Sequence, residues 1–357
     1  MPLVAHNALP TFRRLRSEGQ PVLDYGRAKK QDIRELHIGL LNMMPDAALA
    51  ATERQFFTLI GQSNQIVQFY IHPFSIDELR RGDEAQRHVD TFYEPFEKLR
   101  DEGLDGLIIT GANVTRPNLA EEPFWDPLIE VIDWAVDNVP SILCSCLATH
   151  AVLQFRHNQQ RIGLKQKKWG VYSHQIVERN HPVVQGINTK FDVPHSRFNE
   201  LTREQFEAAG CHVLAEGDES NVHMCISEDL FKFVFFQGHP EYDSISLLKE
   251  YKREVMLYAN RQRDDYPPFP EHYFRPLEKA ILDEYCDGLE DAIKNRDQIP
   301  KFPEDLITQS LHNTWHDTGV AVVGNWLGMI YQVTHMDRKI PYMDNVDPSD
   351  PLGLKAG

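Results

Sequence analysis

Apolar positions along the chain alternate between short continuous runs and stretches with helical spacing. "LHIGLLNMMP" (36–45) reads as a buried strand ending at Pro45, and "ATERQFFTLIG" (51–61) as the helix after it. "QIVQFYIH" (65–72) is a second strand, the charged "DEAQRHVDTFYEPFEKLRDEG" (83–103) a helix, and "LDGLIITGAN" (104–113) a third strand turning at Gly111. "FWDPLIEVIDWAVDNV" (124–139) is again helical, and "SILCSC" (141–146) is the next strand. These strands are apolar on both faces and alternate with helices. That pattern predicts an α/β fold, a parallel sheet flanked by helices, with ligands bound beyond the carboxyl ends of the strands.

The pattern changes after residue 170. "GVYSHQIVE", "FDVPHSR", "CHVLAEG", "VHMCISE" and "FKFVFFQGHPEYD" predict shorter strands separated by turns. In "SLLKEYKREVMLYANRQ" (246–262), Leu247, Leu248, Tyr251, Val255, Met256 and Tyr258 share one side of a helix. A Pro-rich break follows, then amphipathic "LEKAILDEYCDGLEDAIKN" (277–295) and buried "VAVVGNWLGMIYQVT" (320–334). The expected organisation is an irregular N-terminal arm (1–35), an α/β catalytic domain (36–262), a helical C-terminal extension packed on it (263–340) and a disordered tail (341–357).

Composition narrows the class. With 357 residues and 41% hydrophobic content, the chain can bury a full core. A formal net charge of −16 argues against nucleic acid or an anionic membrane as partner. The N-terminus shows no apolar segment of a secretion signal, and no apolar run is long enough to span a bilayer. Five scattered cysteines suit reduced thiols, and a cytoplasmic location is expected. Cys144-Ser-Cys146 lacks a second Cys or His pair at zinc-ligand spacing, so no metal site is expected.

The strand-to-helix junction at Cys146 is where chemistry is expected. Leu147, Val152, Leu153 and Phe155 carry the helical spacing after it. A thiol there faces a helix N-terminus, where backbone N–H groups favour a thiolate and hold a developing oxyanion. A buried structural thiol is the plainer alternative. A nucleophile needs a base, and the base an orienting partner. "FQGHPEYD" supplies His239 and Glu241, two residues apart at the end of an apolar strand. His150, four residues past Cys146 on the helix, is the rival base, but the helix axis carries it away from the junction.

A cysteine elbow followed by His-x-Glu in an α/β sheet resembles the class I glutamine amidotransferase-like (flavodoxin-like) fold. Glycines usually flank that group's nucleophile, whereas Ser145, Leu147 and Ala148 do so here. "LLNMMP", "ATERQF", "DGLIITGA", "GVYSH", "PHSRF", "GHPEYD" and "NWL" more closely resemble, in order, the homoserine O-acyltransferase (homoserine O-succinyltransferase) family of methionine biosynthesis. The resemblance implies a ping-pong reaction with Cys146 as acyl-thioester nucleophile, His239 as general base and Glu241 as its orienting partner. It implies amino-acid substrate binding by Lys167, Ser196 and Arg253, acyl-CoA as co-substrate with no bound cofactor, and a homodimer.

Each residue also has a plainer reading: a basic surface loop that could meet CoA phosphates for Lys167, a turn cap for Ser196, a solvated helix charge for Arg253. The family's lysine after the first Met-Pro, assigned to its oxyanion hole, is replaced by Asp46 and Ala47. The backbone N–H of Leu147 is then the expected oxyanion donor. The family position tied to acyl choice, glycine for succinyl and glutamate for acetyl, is read as Thr115. A small uncharged residue there favours succinyl-CoA over acetyl-CoA. Homoserine or serine as acceptor, and an amidotransferase-like hydrolase or a non-catalytic module as overall role, stay open at this level. Residues 275–305 look like an insertion serving as an oligomer contact or a lid.

Overall fold

The computed structural model describes residues 3–355. In chain order the elements begin β1 (Leu3–Ala5), α1 (Pro10–Ser17), β2 (Val22–Asp24), α2 (Tyr25–Ala28), β3 (Glu35–Leu41), α3 (Asp46–Ser63) and β4 (Gln68–Phe74). They continue α4 (Asp83–Phe92), α5 (Phe96–Glu102), β5 (Gly106–Ile109), α6 (Trp125–Asn138), β6 (Ser141–Ser145) and α7 (Leu147–His157). Then come β7 (Ile162–Ile176), β8 (Lys190–Glu200), α8 (Arg203–Ala208), β9 (His212–Gly217), β10 (Asn221–Ile226) and β11 (Phe233–Phe236). The chain closes with α9 (Ser246–Ala259), α10 (Pro276–Asn295), α11 (Glu304–Thr308) and α12 (His316–Val333).

All strands join one sheet in the order β2-β1-β4-β3-β5-β6-β11-β10-β9-β7-β8. From β2 to β11 every neighbouring pair is parallel. From β11 to β8 every pair is antiparallel. The parallel half is the one the two-faced apolar strands predict. Leu36, Ile38, Leu40, Phe69 and Ile71 meet α1, α3 and α12 on one face. Leu41, Phe74, Leu107 and Ile109 meet α5, α6 and α7 on the other. A third cluster joins α9 to α10 and α11 through Leu248, Tyr251, Leu282, Tyr285, Leu289 and Ile307. The 275–305 segment therefore covers α9 with its apolar face.

Several boundaries differ from the sequence reading. The described part of the N-terminal arm, residues 3–35, is not irregular: β1 and β2 add two parallel strands to the sheet edge. Three-residue strands are too short to show a period of two, so their pattern was invisible. The helix expected over 51–61 begins at Asp46, because Pro45 ends the loop and Asp46 to Ala51 are compatible with a first helical turn. The helix expected over 83–103 is two, broken at Pro95. Phe155 is exposed rather than part of the buried stripe of α7. The tail expected to be disordered packs Tyr342, Val346 and Leu352 against the main core; its last two residues lie outside the described ones. Among the described residues no helix is long and apolar enough to cross a membrane.

Candidate active site

β6 and β11 are parallel neighbours, with Ser145 in register with Phe236, so the loops after them open at the same sheet edge. Cys146 links β6 directly to α7 with φ +52°. A non-glycine residue held in that region is strained and needs fixing by its surroundings. Its own N–H donates to Phe236 O at 2.8 Å. The buried Thr149 hydroxyl lies 3.0 Å from Cys144 O and 2.9 Å from Phe236 O, tying the first turn of α7 to both strands. A Cβ at Gly111 would lie 4.0 Å from Cys146 Cβ and 3.6 Å from the Met44 sulfur. The loops after β3, β5 and β6 thus meet at the thiol, which is partly exposed while Cys144, Cys211 and Cys225 are buried.

His239 sits three residues beyond β11, its N–H donating to Pro194 O at 2.8 Å. Its Nδ1 is 2.7 Å from Glu241 Oε1, and Cys146 lies within electrostatic reach of its ring. The ring also stacks on Tyr242 at 4.4 Å between centroids. His239 is 5% exposed and Glu241 6%. Burial alone would lower the imidazole pKa. The charges of Glu241 and Cys146 outweigh it and raise the value to about 10. The arrangement favours the imidazolium form of His239. Arg161 and Arg197 lie within electrostatic reach of the cysteine.

The rest of the His239 loop is held from behind. Gly238 N–H points at His223 Nδ1, 3.3 Å away. A side chain at Gly238 would come within 2.6 Å of Val193 and 2.8 Å of His195. Burial pushes His195 and His223 well below the ordinary imidazole value, so both rings are neutral. His150, the rival base, is also buried, its pKa pushed down to about 3, and it faces Gln237 at 3.3 Å. It packs rather than meeting the thiol.

Lys167 and Ser196 come together on a residue the sequence reading missed. Lys167 Nζ is 3.1 Å and Ser196 Oγ 2.6 Å from Glu250 Oε2, while Tyr242 donates to Oε1 at 3.0 Å. Burial would raise the Glu250 pKa, but Lys167 and the two hydroxyls hold it below the ordinary carboxylate value. Because Tyr242 stacks on His239, this cluster adjoins the imidazole. Arg253 lies one turn further along α9, with a side chain 56% exposed and paired to Glu254 at 3.3 Å. The structure does not bring it to the cluster. A glutamate inside the charged run "KEYKRE" carries no sign of its burial, so only the fold could reveal Glu250.

Thr115 is exposed in the loop after β5, where its hydroxyl lies 3.2 Å from the buried Glu122. Arg161 donates to the carbonyls of Arg116 and Pro117 at 2.9 and 3.2 Å, while its Nε is buried without a hydrogen-bond partner. Arg161 thus connects the Thr115 loop to the neighbourhood of the thiol. Asp46 is turned away from the site, accepting from Gly82 N at 2.7 Å. The buried Arg81 braces the Met-Pro loop instead, donating to Met44 O at 3.0 Å and Asn42 O at 3.1 Å.

A family model described as homoserine O-succinyltransferase matches residues 2–336. The homoserine O-succinyltransferase of Nitrosococcus oceani is 62% identical over 99% of both chains. That of Allochromatium vinosum is 62% identical over the full length of both. Among solved structures, a glutamine amidotransferase of Thermotoga maritima is 12% identical, with a TM-score of 0.42, covering 84% of this chain and 99% of its own. By its match over nearly the whole sequence, the chain belongs to the homoserine O-succinyltransferase family, a family of acyltransferases.

Proposed function

We propose that the protein transfers the succinyl group of succinyl-CoA to the hydroxyl of L-homoserine by a ping-pong route through a thioester on Cys146. The observation that carries this reading is the buried His239, hydrogen-bonded to Glu241 at 2.7 Å and within electrostatic reach of Cys146 at the head of α7. The thiolate attacks the thioester carbonyl of succinyl-CoA. The N–H of Leu147, first residue of α7 and without an intrahelical acceptor, stabilises the oxyanion. His239 gives its proton to the departing CoA thiolate. Homoserine then attacks the Cys146 thioester, His239 taking the hydroxyl proton as the C–S bond breaks. Glu241 keeps the ring oriented through both steps.

Glu250 offers its carboxylate to the substrate ammonium, while Lys167 and Ser196 hold that carboxylate in place. Arg253 leaves Glu254 to pair with the substrate carboxylate. Thr115, small and uncharged, does not repel a succinyl carboxylate, and Arg161 beside it supplies the matching cation. The reaction suits a cytoplasmic homodimer in methionine biosynthesis, using two small-molecule substrates and no bound cofactor.

The deciding experiment mixes the protein with succinyl-CoA alone and weighs it intact. A succinyl adduct on Cys146, absent in Cys146→Ser and discharged by homoserine, is expected. Steady-state turnover without any adduct would refute the covalent route. A grid of succinyl-CoA and acetyl-CoA against homoserine and serine, following CoA release, tests both substrate choices.

A further inference from the structure

Three titratable side chains that the active site does not use converge at the opposite edge of the parallel half. His6 follows β1, His72 lies within β4 and Glu94 precedes α5. β4 is separated from β6 by β3 and β5, so this cluster lies roughly 14 Å across the sheet from the strand bearing Cys146. One ring nitrogen of His6, one of His72 and one Glu94 oxygen all lie within 4.8 Å of one another. Glu94 Oε1 is 2.6 Å from His72 Nδ1 and 3.9 Å from His6 Nε2. The atoms border a cavity of about 890 Å³.

We propose that His6 Nε2, His72 Nδ1 and Glu94 Oε1 bind a divalent transition-metal ion of the zinc type, with a fourth position open to this cavity. Bonds of about 2.0–2.2 Å in a tetrahedral site put ligand atoms roughly 3.3 Å apart, between the two Glu94 distances here. Two imidazoles and a carboxylate are the donors such an ion takes when thiolates are absent.

The surroundings of each donor match what coordination requires. His6 Nδ1 is 3.1 Å from Val4 O, so it carries the proton and leaves Nε2 with a free lone pair. The Asn7 amide, 3.4 Å from that nitrogen, gives way to the ion. His72 Nε2 is 2.9 Å from His37 Nδ1. With the His37 proton on its far nitrogen, His37 Nδ1 is placed to accept the Nε2 proton of His72. The far nitrogen of His37 is 3.5 Å from Glu35 Oε2. A carboxylate–imidazole–imidazole chain therefore orients His72 toward the ion. The second oxygen of Glu94 is held by Lys98 at 2.7 Å. An ion here would fasten the N-terminal strand β1 to β4 and to the start of α5. The ligands come from three distant points in the chain, so no spacing in the sequence announces them.

The test uses the full chain carrying Cys146→Ser, which removes the competing catalytic thiol, freed of metal by a chelator. Calorimetric titration with Zn²⁺ is expected to give one ion per chain, and Co²⁺ the visible spectrum of a four-coordinate nitrogen–oxygen site. Zn²⁺ should also raise the melting temperature. His72→Gln, Glu94→Gln and His6→Gln should each abolish these effects. His37→Phe should weaken binding about 10–100-fold, the cost of losing an outer partner of a metal-bound imidazole. His272→Gln, in the exposed Glu219–Glu271–His272 group, should leave binding intact. Circular dichroism of the metal-free variants reports folding. If Glu94→Gln fails to fold, His6→Gln, beyond the end of β1, decides. Absence of saturable binding, or binding unchanged by His72→Gln and His6→Gln, or lost in His272→Gln, would overturn the proposal.

Discussion

Replacing Glu241 by glutamine removes one charge and almost no volume beside His239. The carboxylate and the imidazole nitrogen are 2.7 Å apart, which puts their charge centres about 4 Å from each other. At an effective dielectric constant near 20 that separation is worth about 4 kcal/mol, an upper figure, because glutamine keeps an oxygen that can accept the Nδ1 proton. At 1.36 kcal/mol per pH unit the imidazole pKa falls by up to about 3 units. It moves from about 10 toward about 7. The sign follows from charge: losing a neighbouring anion disfavours the cationic ring. In the native chain the raised value keeps His239 protonated up to about pH 10, so under the proposed mechanism the proton donor for the CoA thiolate should be lost only above that value. Stability is linked in the same direction, since the raised value contributes fully below about pH 6.5 and fades as pH rises through about 10. The assay is single-turnover CoA release from succinyl-CoA between pH 6 and 10.5. The descending limb should move down by roughly 2–3 units in Glu241→Gln, with a lower plateau. An unmoved limb with a rate within threefold of the parent would refute the assignment of Glu241 as partner of the base.

Thr149→Val keeps shape but deletes the hydroxyl bridging β6 and β11, leaving two carbonyl contacts unmade. A loss of about 1–3 kcal/mol in urea unfolding is expected, with slower acylation of Cys146. Arg161→Gln should lower kcat/KM for succinyl-CoA by roughly 10–100-fold while sparing acetyl-CoA, as loss of one charge-assisted hydrogen bond predicts; equal losses for both donors would refute its role. Gly238→Ala drives a methyl group against Val193 and His195, so about 1–3 kcal/mol of stability and most activity should be lost, read by thermal unfolding and CoA release.

What could be read from the sequence is what is local in it. The Cys146 junction, the His239–Glu241 pair and the apolar strands of the parallel half all announce themselves within a few residues. Lys167 and Ser196 rested on family resemblance, and the structure brings them to one carboxylate. Glu250 was hidden, because its partners arrive from β7, β8 and the His239 loop. Thr149 and Arg81 were hidden for the same reason: their hydrogen bonds span 87 and 37 residues. The 15-residue length of β7 was obscured by the basic run 165–168, which antiparallel pairing at the sheet's outer end tolerates. Arg253, the residue with the plainest charge argument, pairs with Glu254 in the unliganded chain rather than with the Glu250 cluster.

The position of the site follows from where the sheet changes direction. β11 is parallel to β6 but antiparallel to β10, so the β10–β11 hairpin is what turns the chain to finish beside Cys146. His223, on β10, then receives the Gly238 N–H, and Pro194, on β8, receives that of His239. His239 is thus suspended between a hairpin partner and a distant strand, while Cys146 is held by Phe236 at the end of β11 itself. A slip of one residue between β10 and β11 would turn every side chain of β11 to the other face and carry Phe236 O away from the Cys146 N–H. Cys146 and His239 would be misplaced by the same event. The antiparallel half therefore helps to place Cys146, His239 and Glu241, although it contributes none of the three.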